Sequence, residues 1–197
     1  MRYTIFNTPA LKSLLLGISL ILLKILGWKK RGPTPNLSKY VIVVAPHTSS
    51  WDLFYGIILA FALKIDARFI AKKELFRWPF SPLMKWLGGV PVDRALSSHI
   101  VDQIISTFNE NKKFILALTP EGTRHKIGHW KSGFYHIAVG AHVPIHLAFL
   151  DYATKTGGAG PLIYPTGDLD QDMQIIRNFY LTVKGKNPDK TSPVVIY

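Results

Sequence analysis

His47 and Asp52 are the two residues whose types and spacing best suit proton transfer. His47 follows a continuous apolar run at residues 40–45, and Asp52 lies in the first turn of a helix predicted at residues 51–64. A histidine on such a loop can fold back so that the aspartate accepts its Nδ1–H. The Nε2 atom then remains free to take a proton from a hydroxyl that a substrate brings.

A purely structural role also fits this spacing. His47 would then cap the helix, and Asp52 would balance the positive end of the helix dipole. One histidine and one aspartate do not decide between the two interpretations, so the rest of the chain has to be considered.

The turn at residues 119–124, Thr-Pro-Glu-Gly-Thr-Arg, is the second segment suited to chemistry. It directly follows another apolar run, at residues 113–118. Gly122 permits an unusual backbone angle, and the N–H groups around it, together with Thr123, suit an oxyanion or a phosphate. Arg124 offers a planar guanidinium that matches phosphate geometry. The alternative is a tight turn with a solvated arginine.

Arg94 is a further arginine at the end of a predicted strand, at residues 89–92. It either adds to a phosphate site or forms a local ion pair with Asp93, which contributes little at a surface.

Alternating strands and helices are predicted to position these residues. The predicted strands are residues 40–45, 68–71, 89–92, 113–118 and 144–150. The predicted helices are residues 51–64, 80–87, 97–111, 132–140 and 172–183. Buried strands alternating with helices indicate an α/β fold, a single domain with a mostly parallel central sheet flanked by helices. Ligands of such folds bind at the carboxyl ends of strands, where both candidate segments lie.

An apolar stretch at residues 11–28 precedes this domain. It lacks the cleavage site of a signal peptide, and only eleven uncharged residues separate Lys12 from Lys24, whereas a spanning helix needs about 20 apolar residues. On a helical wheel, residues 12, 13, 17, 19 and 24 share an arc of about 160°, and the remaining surface is almost all Leu and Ile. We therefore expect an amphipathic helix that lies in a membrane interface, or that packs on the domain while dipping into lipid, with a single span and a plain core helix as alternatives.

The end of this stretch also suits a membrane surface. Trp28 is suited to the headgroup layer, and the Lys-Lys-Arg cluster at residues 29–31 is suited to anionic lipid. The predicted organisation is therefore a membrane-anchoring helix with a basic cluster at residues 1–31, a linker at residues 32–36 and a domain at residues 37–197.

Composition and charge exclude several classes of protein. The chain has 197 residues, 48% of them hydrophobic, which excludes a disordered chain. It has no cysteine, so a thiol nucleophile and cysteine-bound metal are excluded. The net charge is +12, and residues 1–98 hold 14 Lys and Arg against 4 Asp and Glu. A basic half implies an anionic partner. No nucleic acid is expected, because no aromatic-basic strand motif is present.

Four blocks, taken together, resemble the glycerolipid acyltransferase family typified by 1-acyl-glycerol-3-phosphate acyltransferase. The blocks are His-x4-Asp at residues 47–52, Gly-Gly-Val-Pro-Val-Asp-Arg at 88–94, Pro-Glu-Gly-Thr-Arg at 120–124 and Val-Pro-Ile at 143–145. They cover about half of the chain in the family's order.

The resemblance implies a role for each matching residue. It implies that His47 is the general base and Asp52 its orienting partner. It implies that substrate phosphate is bound by residues of the second and third blocks: Arg94, Glu121, Gly122, Thr123 and Arg124. It also implies that Pro144 lies in a strand that lines the acyl site.

The implied reaction is the transfer of a fatty acyl group from a thioester, on coenzyme A or acyl carrier protein, to a lysophospholipid hydroxyl. Lysophosphatidic acid is the expected acceptor, with a lyso-aminolipid or another lysophospholipid as alternatives. No cofactor or metal is expected, because His125, His129 and His136 lack a carboxylate at a telling spacing. The expected location is the cytoplasmic face of a membrane. The non-enzyme alternative is a basic peripheral membrane protein that binds phospholipid without turnover.

Overall fold

Seven strands form one sheet in the part of the chain that the computed structural model describes, residues 4–8, 11–92 and 97–196. They are β1 (Lys29–Arg31), β2 (Lys39–Ala45), β3 (Ala67–Lys72), β4 (Gly89–Val92), β5 (Phe114–Leu118), β6 (Ile145–Asp151) and β7 (Thr156–Ile163). Their order across the sheet is β1-β7-β6-β2-β5-β3-β4. Every neighbouring pair is parallel except β6 with β7. The mostly parallel α/β sheet predicted from the sequence is therefore confirmed.

The sheet has one edge at which the strands β2 to β6 all end, and we call it the carboxyl edge. Strands that run the same way bring the loops after them to the same edge. The loops that follow β2, β5 and β6 are adjacent there, because these three strands are neighbours in the sheet.

Helices cover both faces of the sheet. They are α1 (Leu11–Ile25), α2 (Trp51–Ala62), α3 (Ser81–Trp86), α4 (Ser97–Glu110), α5 (Gly133–Gly140) and α6 (Leu169–Tyr180). The helices α4, α5 and α6 bury Ile104, Phe134 and Ile176 in one apolar core with Val41 and Val43 of β2. The helices α1 and α2 pack together on the other face.

The burial of β2 on both faces explains its composition. Val41 and Val43 point into the core beneath α4, α5 and α6, while Tyr40 and Ile42 belong to a separate cluster on the other face with Ile115 of β5. A strand covered on both sides needs a continuous apolar sequence rather than an alternating one.

The amino-terminal segment packs on the domain and adds a strand to its sheet. Leu23 of α1 and Trp28 are buried against Ile58 and Leu59 of α2. β1, which carries the basic cluster, pairs in parallel with β7 as an edge strand. Neither β1 nor β7 was predicted from the sequence. The residues before the linker at 32–36 thus contribute a strand and core side chains to the same domain.

The helix α1 turns apolar side chains outward. Leu14, Ile18, Ile21 and Ile25 are exposed, while Ser19, predicted on the polar side, is buried against the domain. Packing of α1 against the domain therefore covers Ser19 of the polar arc and leaves these four residues of the apolar arc exposed. None of the helices in the described ranges has the length and apolar character that a membrane span requires.

Candidate active site

His47 and Asp52 are brought together at the carboxyl edge of the sheet. β2 ends at Ala45, so His47 lies on the loop after it, and Asp52 lies in the first turn of α2. His47 Nδ1 is 3.0 Å from Asp52 Oδ2. Asp52 is buried, whereas His47 is partly exposed. This is the arrangement expected from the five-residue spacing.

Asp52 is held as an anion by four donors. Its Oδ2 atom accepts hydrogen bonds from His47 and from the backbone N–H groups of Thr48 at 2.8 Å and Ser49 at 2.9 Å. Its Oδ1 atom accepts from the Tyr152 hydroxyl at 2.7 Å. Burial alone would raise the pKa of Asp52, but these hydrogen bonds outweigh it and lower the pKa below its ordinary value. An ionised Asp52 accepts the Nδ1–H of His47, so Nε2 is left as the basic nitrogen.

Tyr152 is a site residue that the sequence analysis missed. It immediately follows β6, a neighbour of β2, and its side chain reaches back to Asp52. The signal that could have identified Tyr152 is its place directly after a buried strand, at the carboxyl edge of the sheet. No spacing rule links it to Asp52, which is 100 residues away in the sequence.

Glu121 accepts hydrogen bonds from the backbone of the loop that carries His47. Its carboxylate oxygens lie 3.2 and 3.1 Å from the backbone nitrogen of His47, which donates to them. The side chain is 1% exposed, and burial raises the pKa of Glu121 to about 7. Contact between Glu121 and a substrate phosphate, implied by the resemblance, does not fit this position, because the carboxylate is enclosed and already bonded to the His47 loop.

The rest of the turn after β5 lies beside the same loop. Gly122 has a φ of 64°, so a residue with a side chain would be strained there. Thr123 Oγ1 accepts from the backbone N–H of His125 at 3.3 Å. Arg124 is exposed, and its Nη1 donates to the Ser50 hydroxyl on the loop after β2. The structure thus brings Arg124 to the carboxyl edge near His47.

One further predicted position falls outside the part of the chain that the structure describes, and another lies away from His47. Arg94 lies outside the described residues. Pro144 immediately precedes β6, and its carbonyl accepts from the Val41 N–H at 3.0 Å, near the start of β2. It therefore lies at the opposite end of the strands from His47. The strand β6 begins directly after Pro144 and ends near the site, where Tyr152 follows it.

The carboxyl-terminal segment braces the His47 loop. Asn187 donates from its backbone N–H to Thr48 Oγ1 at 3.1 Å and from Nδ2 to the Thr48 carbonyl at 2.8 Å. Lys186 Nζ lies 5.1 Å from the centre of the Trp51 ring and 5.8 Å from that of Tyr152. No motif in the sequence predicted these contacts.

The hydroxyl groups closest in sequence to His47 have other partners. Thr48 Oγ1 accepts from Asn187, Ser49 Oγ accepts from the Trp51 N–H at 3.2 Å, and Ser50 Oγ accepts from Arg124. His47 Nε2, the ring nitrogen that does not face Asp52, can accept a proton from a hydroxyl. Within the described parts of the chain, no group of three or more His, Asp or Glu is placed to hold a metal ion.

Comparison with known proteins places this geometry in context. Residues 29–148 match the model of a family described as Acyltransferase. The chain is 30% identical over 117 residues to a 1-acyl-sn-glycerol-3-phosphate acyltransferase of Limnanthes douglasii, covering 56% of this chain and 40% of that protein. It is 34% identical over 94 residues to the protein of the same name in Streptococcus pneumoniae, covering 46% of this chain and 34% of that protein. The chain thus spans well under half the length of these curated relatives.

The fold is also similar to that of a solved structure. The crystal structure of the 1-acyl-sn-glycerophosphate (LPA) acyltransferase PlsC from Thermotoga maritima matches with a TM-score of 0.59 at 18% identity. The match covers 86% of this chain and 78% of that chain. At this identity, the likeness concerns the fold alone.

Proposed function

Because this chain belongs to the acyltransferase family, we propose that it transfers a fatty acyl group from an acyl thioester to the hydroxyl of a lysophospholipid. The proposed acceptor is 1-acyl-glycerol-3-phosphate, the substrate named for the curated relatives. The proposed donor is a thioester of coenzyme A or of acyl carrier protein. The observation that carries the proposal is the 3.0 Å contact between His47 Nδ1 and Asp52 Oδ2, which leaves Nε2 open at the carboxyl edge.

The proposed reaction is a direct displacement. His47 Nε2 accepts the proton of the acceptor hydroxyl as its oxygen attacks the thioester carbonyl carbon. The resulting tetrahedral intermediate collapses to the new ester and expels the thiolate. His47 then returns its proton to the sulfur, so the products are an ester and a free thiol. Asp52 stabilises the imidazolium between these two proton transfers.

The acceptor phosphate is proposed to bind on the turn after β5. Arg124 is exposed there and presents a planar fork of N–H donors, while Gly122 and Thr123 contribute backbone and hydroxyl groups. Arg94, after β4, is proposed to bind the same phosphate. Glu121 is assigned to the support of the His47 loop instead.

Membrane association is proposed because the acceptor is a lipid. The helix α1 exposes Leu14, Ile18, Ile21 and Ile25, and the basic side chains of β1 are exposed beside it. An apolar face with adjacent basic residues suits the surface of an anionic leaflet. We place the protein on the cytoplasmic face, where anionic lipids attract basic segments.

An assay of the purified full chain tests the proposal. An acyl thioester and each of several lysolipids are supplied, and the thiol released and the ester formed are measured together. We expect both products with lysophosphatidic acid. We expect His47→Ala to reduce the rate by roughly 10²- to 10⁴-fold, and Asp52→Asn to reduce it strongly through the wrong imidazole tautomer. The exposed His136 provides the matched control, and His136→Ala should retain the wild-type rate.

Two results would contradict the proposal. If His47→Ala retains more than about a tenth of the wild-type rate, the His47–Asp52 pair does not act as the general base, because losing a general base costs more than that. A wild-type protein that binds lipid vesicles but forms no ester with any donor and acceptor would favour a lipid-binding protein without turnover.

A further inference from the structure

Tyr152 is the one donor to the Oδ1 atom of Asp52 among the described residues. His47 and two backbone N–H groups occupy Oδ2, and the Tyr152 hydroxyl lies 2.7 Å from Oδ1. Donors on one oxygen fix where that oxygen lies, but the carboxylate plane can still turn about it. A donor on the second oxygen fixes the plane, and with it the direction in which Asp52 meets His47.

The ring of Tyr152 is itself enclosed by aromatic side chains. Trp28 lies edge-on to it with ring centres 5.0 Å apart, and Tyr55 does so at 5.8 Å. Trp28 and Tyr55 are stacked on each other at 4.2 Å. Trp28 is 6% exposed. These three residues come from the segment after α1, from α2 and from the loop after β6, so separate parts of the chain hold one hydroxyl in place.

The hydroxyl stays protonated in this environment. Burial and the hydrogen bond to Asp52 raise the pKa of Tyr152 well above its ordinary value. The group therefore acts as a permanent hydrogen-bond donor, and it does not exchange a proton with the substrate.

We propose that Tyr152 is a positioning residue of the His47–Asp52 pair, and that Trp28 holds it there. This inference rests on the proposed acyl transfer, since it assigns Tyr152 to the orientation of the base in that reaction. It also gives the amino-terminal segment a part in the chemistry through Trp28, in addition to its proposed contact with lipid.

The variant Tyr152→Phe tests the hydroxyl while keeping the ring. A hydrogen bond to a charged group is lost, so kcat should fall by roughly ten- to a hundredfold. The donor and acceptor KM values should stay within about twofold, because Tyr152 acts through Asp52. The pKa of Asp52 should rise relative to wild type, which can be followed by the carboxyl ¹³C resonance of Asp52. The other titratable groups that face Tyr152 and Asp52 are present in both proteins, and they are His47, Tyr55, Glu121 and Lys186.

A second tyrosine provides a matched control. Tyr135 is buried and donates to Asp172 Oδ2 at 2.8 Å, on the face of the sheet covered by α5 and α6. Tyr135→Phe loses the same kind of bond and should lower the thermal midpoint as Tyr152→Phe does. It should leave kcat and the Asp52 titration at their wild-type values.

A third variant examines the support of the tyrosine ring. Trp28→Leu keeps the Tyr152 hydroxyl but removes one of the two aromatic rings that lie edge-on to it. We therefore expect kcat to fall by a smaller factor than in Tyr152→Phe, with a partial rise in the pKa of Asp52. This variant also keeps the inference testable if Tyr152→Phe does not fold.

Specific results would overturn the inference. An Asp52 titration in Tyr152→Phe that coincides with wild type, or a kcat within about twofold of wild type, removes Tyr152 from the positioning of the base. A wild-type kcat and Asp52 titration in Trp28→Leu removes Trp28. The Asp52 titration requires no turnover, so a wild-type protein without activity would refute the proposed function while this measurement still decides the role of Tyr152.

Discussion

Arg124 is the exposed cation whose role in the site can be separated from proton transfer. Its guanidinium lies on the turn after β5 and contacts Ser50 on the loop that carries His47. A charge-assisted hydrogen bond to phosphate contributes about 1.5–3 kcal/mol. We therefore expect Arg124→Ala to raise the acceptor KM by roughly ten- to a hundredfold, with a smaller effect on the donor KM. Arg124→Lys should restore only part of the loss, because an ammonium group cannot form the bidentate pair.

The acceptor itself supplies the decisive comparison for Arg124. Each variant is assayed with a phosphate-bearing lysolipid and with a neutral lyso-acceptor, and Lys126→Ala removes an exposed charge two residues away as the control. Loss confined to the phosphate acceptor supports the assignment. Equal loss with both acceptors would mean that Arg124 binds the donor or maintains the turn.

Glu121 should make the stability of the protein depend on pH. Burial raises the pKa of Glu121 to about 7 from 4.5, so between these two values the folded state holds a proton that the unfolded state has lost. Stability therefore falls as the pH rises through this interval, and the loss is complete above the folded pKa. Relative to Glu121→Gln, the wild-type free energy of unfolding should fall by about 2–3 kcal/mol between about pH 5 and pH 8.

Chemical unfolding of both proteins across this pH range provides the measurement. Glu110→Gln, at the exposed end of α4, serves as the control and should follow the wild-type curve. Parallel curves for wild type and Glu121→Gln would show that Glu121 has its ordinary pKa and that its burial is relieved in solution.

At the level of elements, the strands predicted correctly were those whose own composition identifies them. β2 and β5 are runs of apolar residues, largely Val, Ile and Leu, buried on both faces, so composition alone identified them and the turns that follow them. β7 has the sequence TGGAGPLI, which is too rich in glycine to resemble a strand. Gly158 is required there, because a side chain at this position would collide with the backbone of Arg31 in β1. The three residues of β1 can be identified as a strand only through their pairing with β7.

The site shows the same division. His47 and the turn at Arg124 were predicted because each follows a recognisable strand, and Asp52 because its spacing from His47 completes the His-x4-Asp motif. Tyr152 and Asn187 were not predicted, because each meets the His47 loop only after distant segments have folded together. The contact of Glu121 with His47 was not predicted either, since the motif does not reveal that the side chain turns inward.

The exposed side of α1 yields a prediction for that helix alone. Ile21 and Ile25 are 59% and 74% exposed, so a charge placed there should not disturb the fold. Burying an isoleucine in lipid contributes about 1.5–3 kcal/mol, so Ile21→Glu and Ile25→Glu should each weaken vesicle binding by roughly ten- to a hundredfold. Cosedimentation with vesicles that contain phosphatidylglycerol measures this.

A control for α1 lies on the opposite face of the sheet. Ile175 is an exposed isoleucine of α6, and Ile175→Glu should bind vesicles as the wild type does. If all three variants bind equally well, the exposed residues of α1 make no contact with lipid.

For the whole molecule, the net charge should make binding to anionic vesicles depend on the salt concentration. The net charge of +12 is concentrated in the first half of the sequence, which also holds α1 and β1. Raising NaCl from about 0.1 M to about 1 M shortens the screening length from about 10 Å to about 3 Å. Binding to phosphatidylglycerol vesicles should therefore weaken by roughly tenfold or more over this range. Binding to pure phosphatidylcholine vesicles should change little. Identical salt curves for both lipids would leave the basic residues without a role at the membrane.

The pairing of β1 with β7 also determines an order of events during synthesis. These strands lie side by side in the sheet, although residues 32–155 separate them in the sequence. On the ribosome, α1 and β1 emerge long before β7 is translated, since the chain grows at about 5–20 residues per second. While residues 32–155 are being translated, β1 therefore has no strand to pair with. The amino-terminal segment is available to a lipid surface before the sheet can hold it in place.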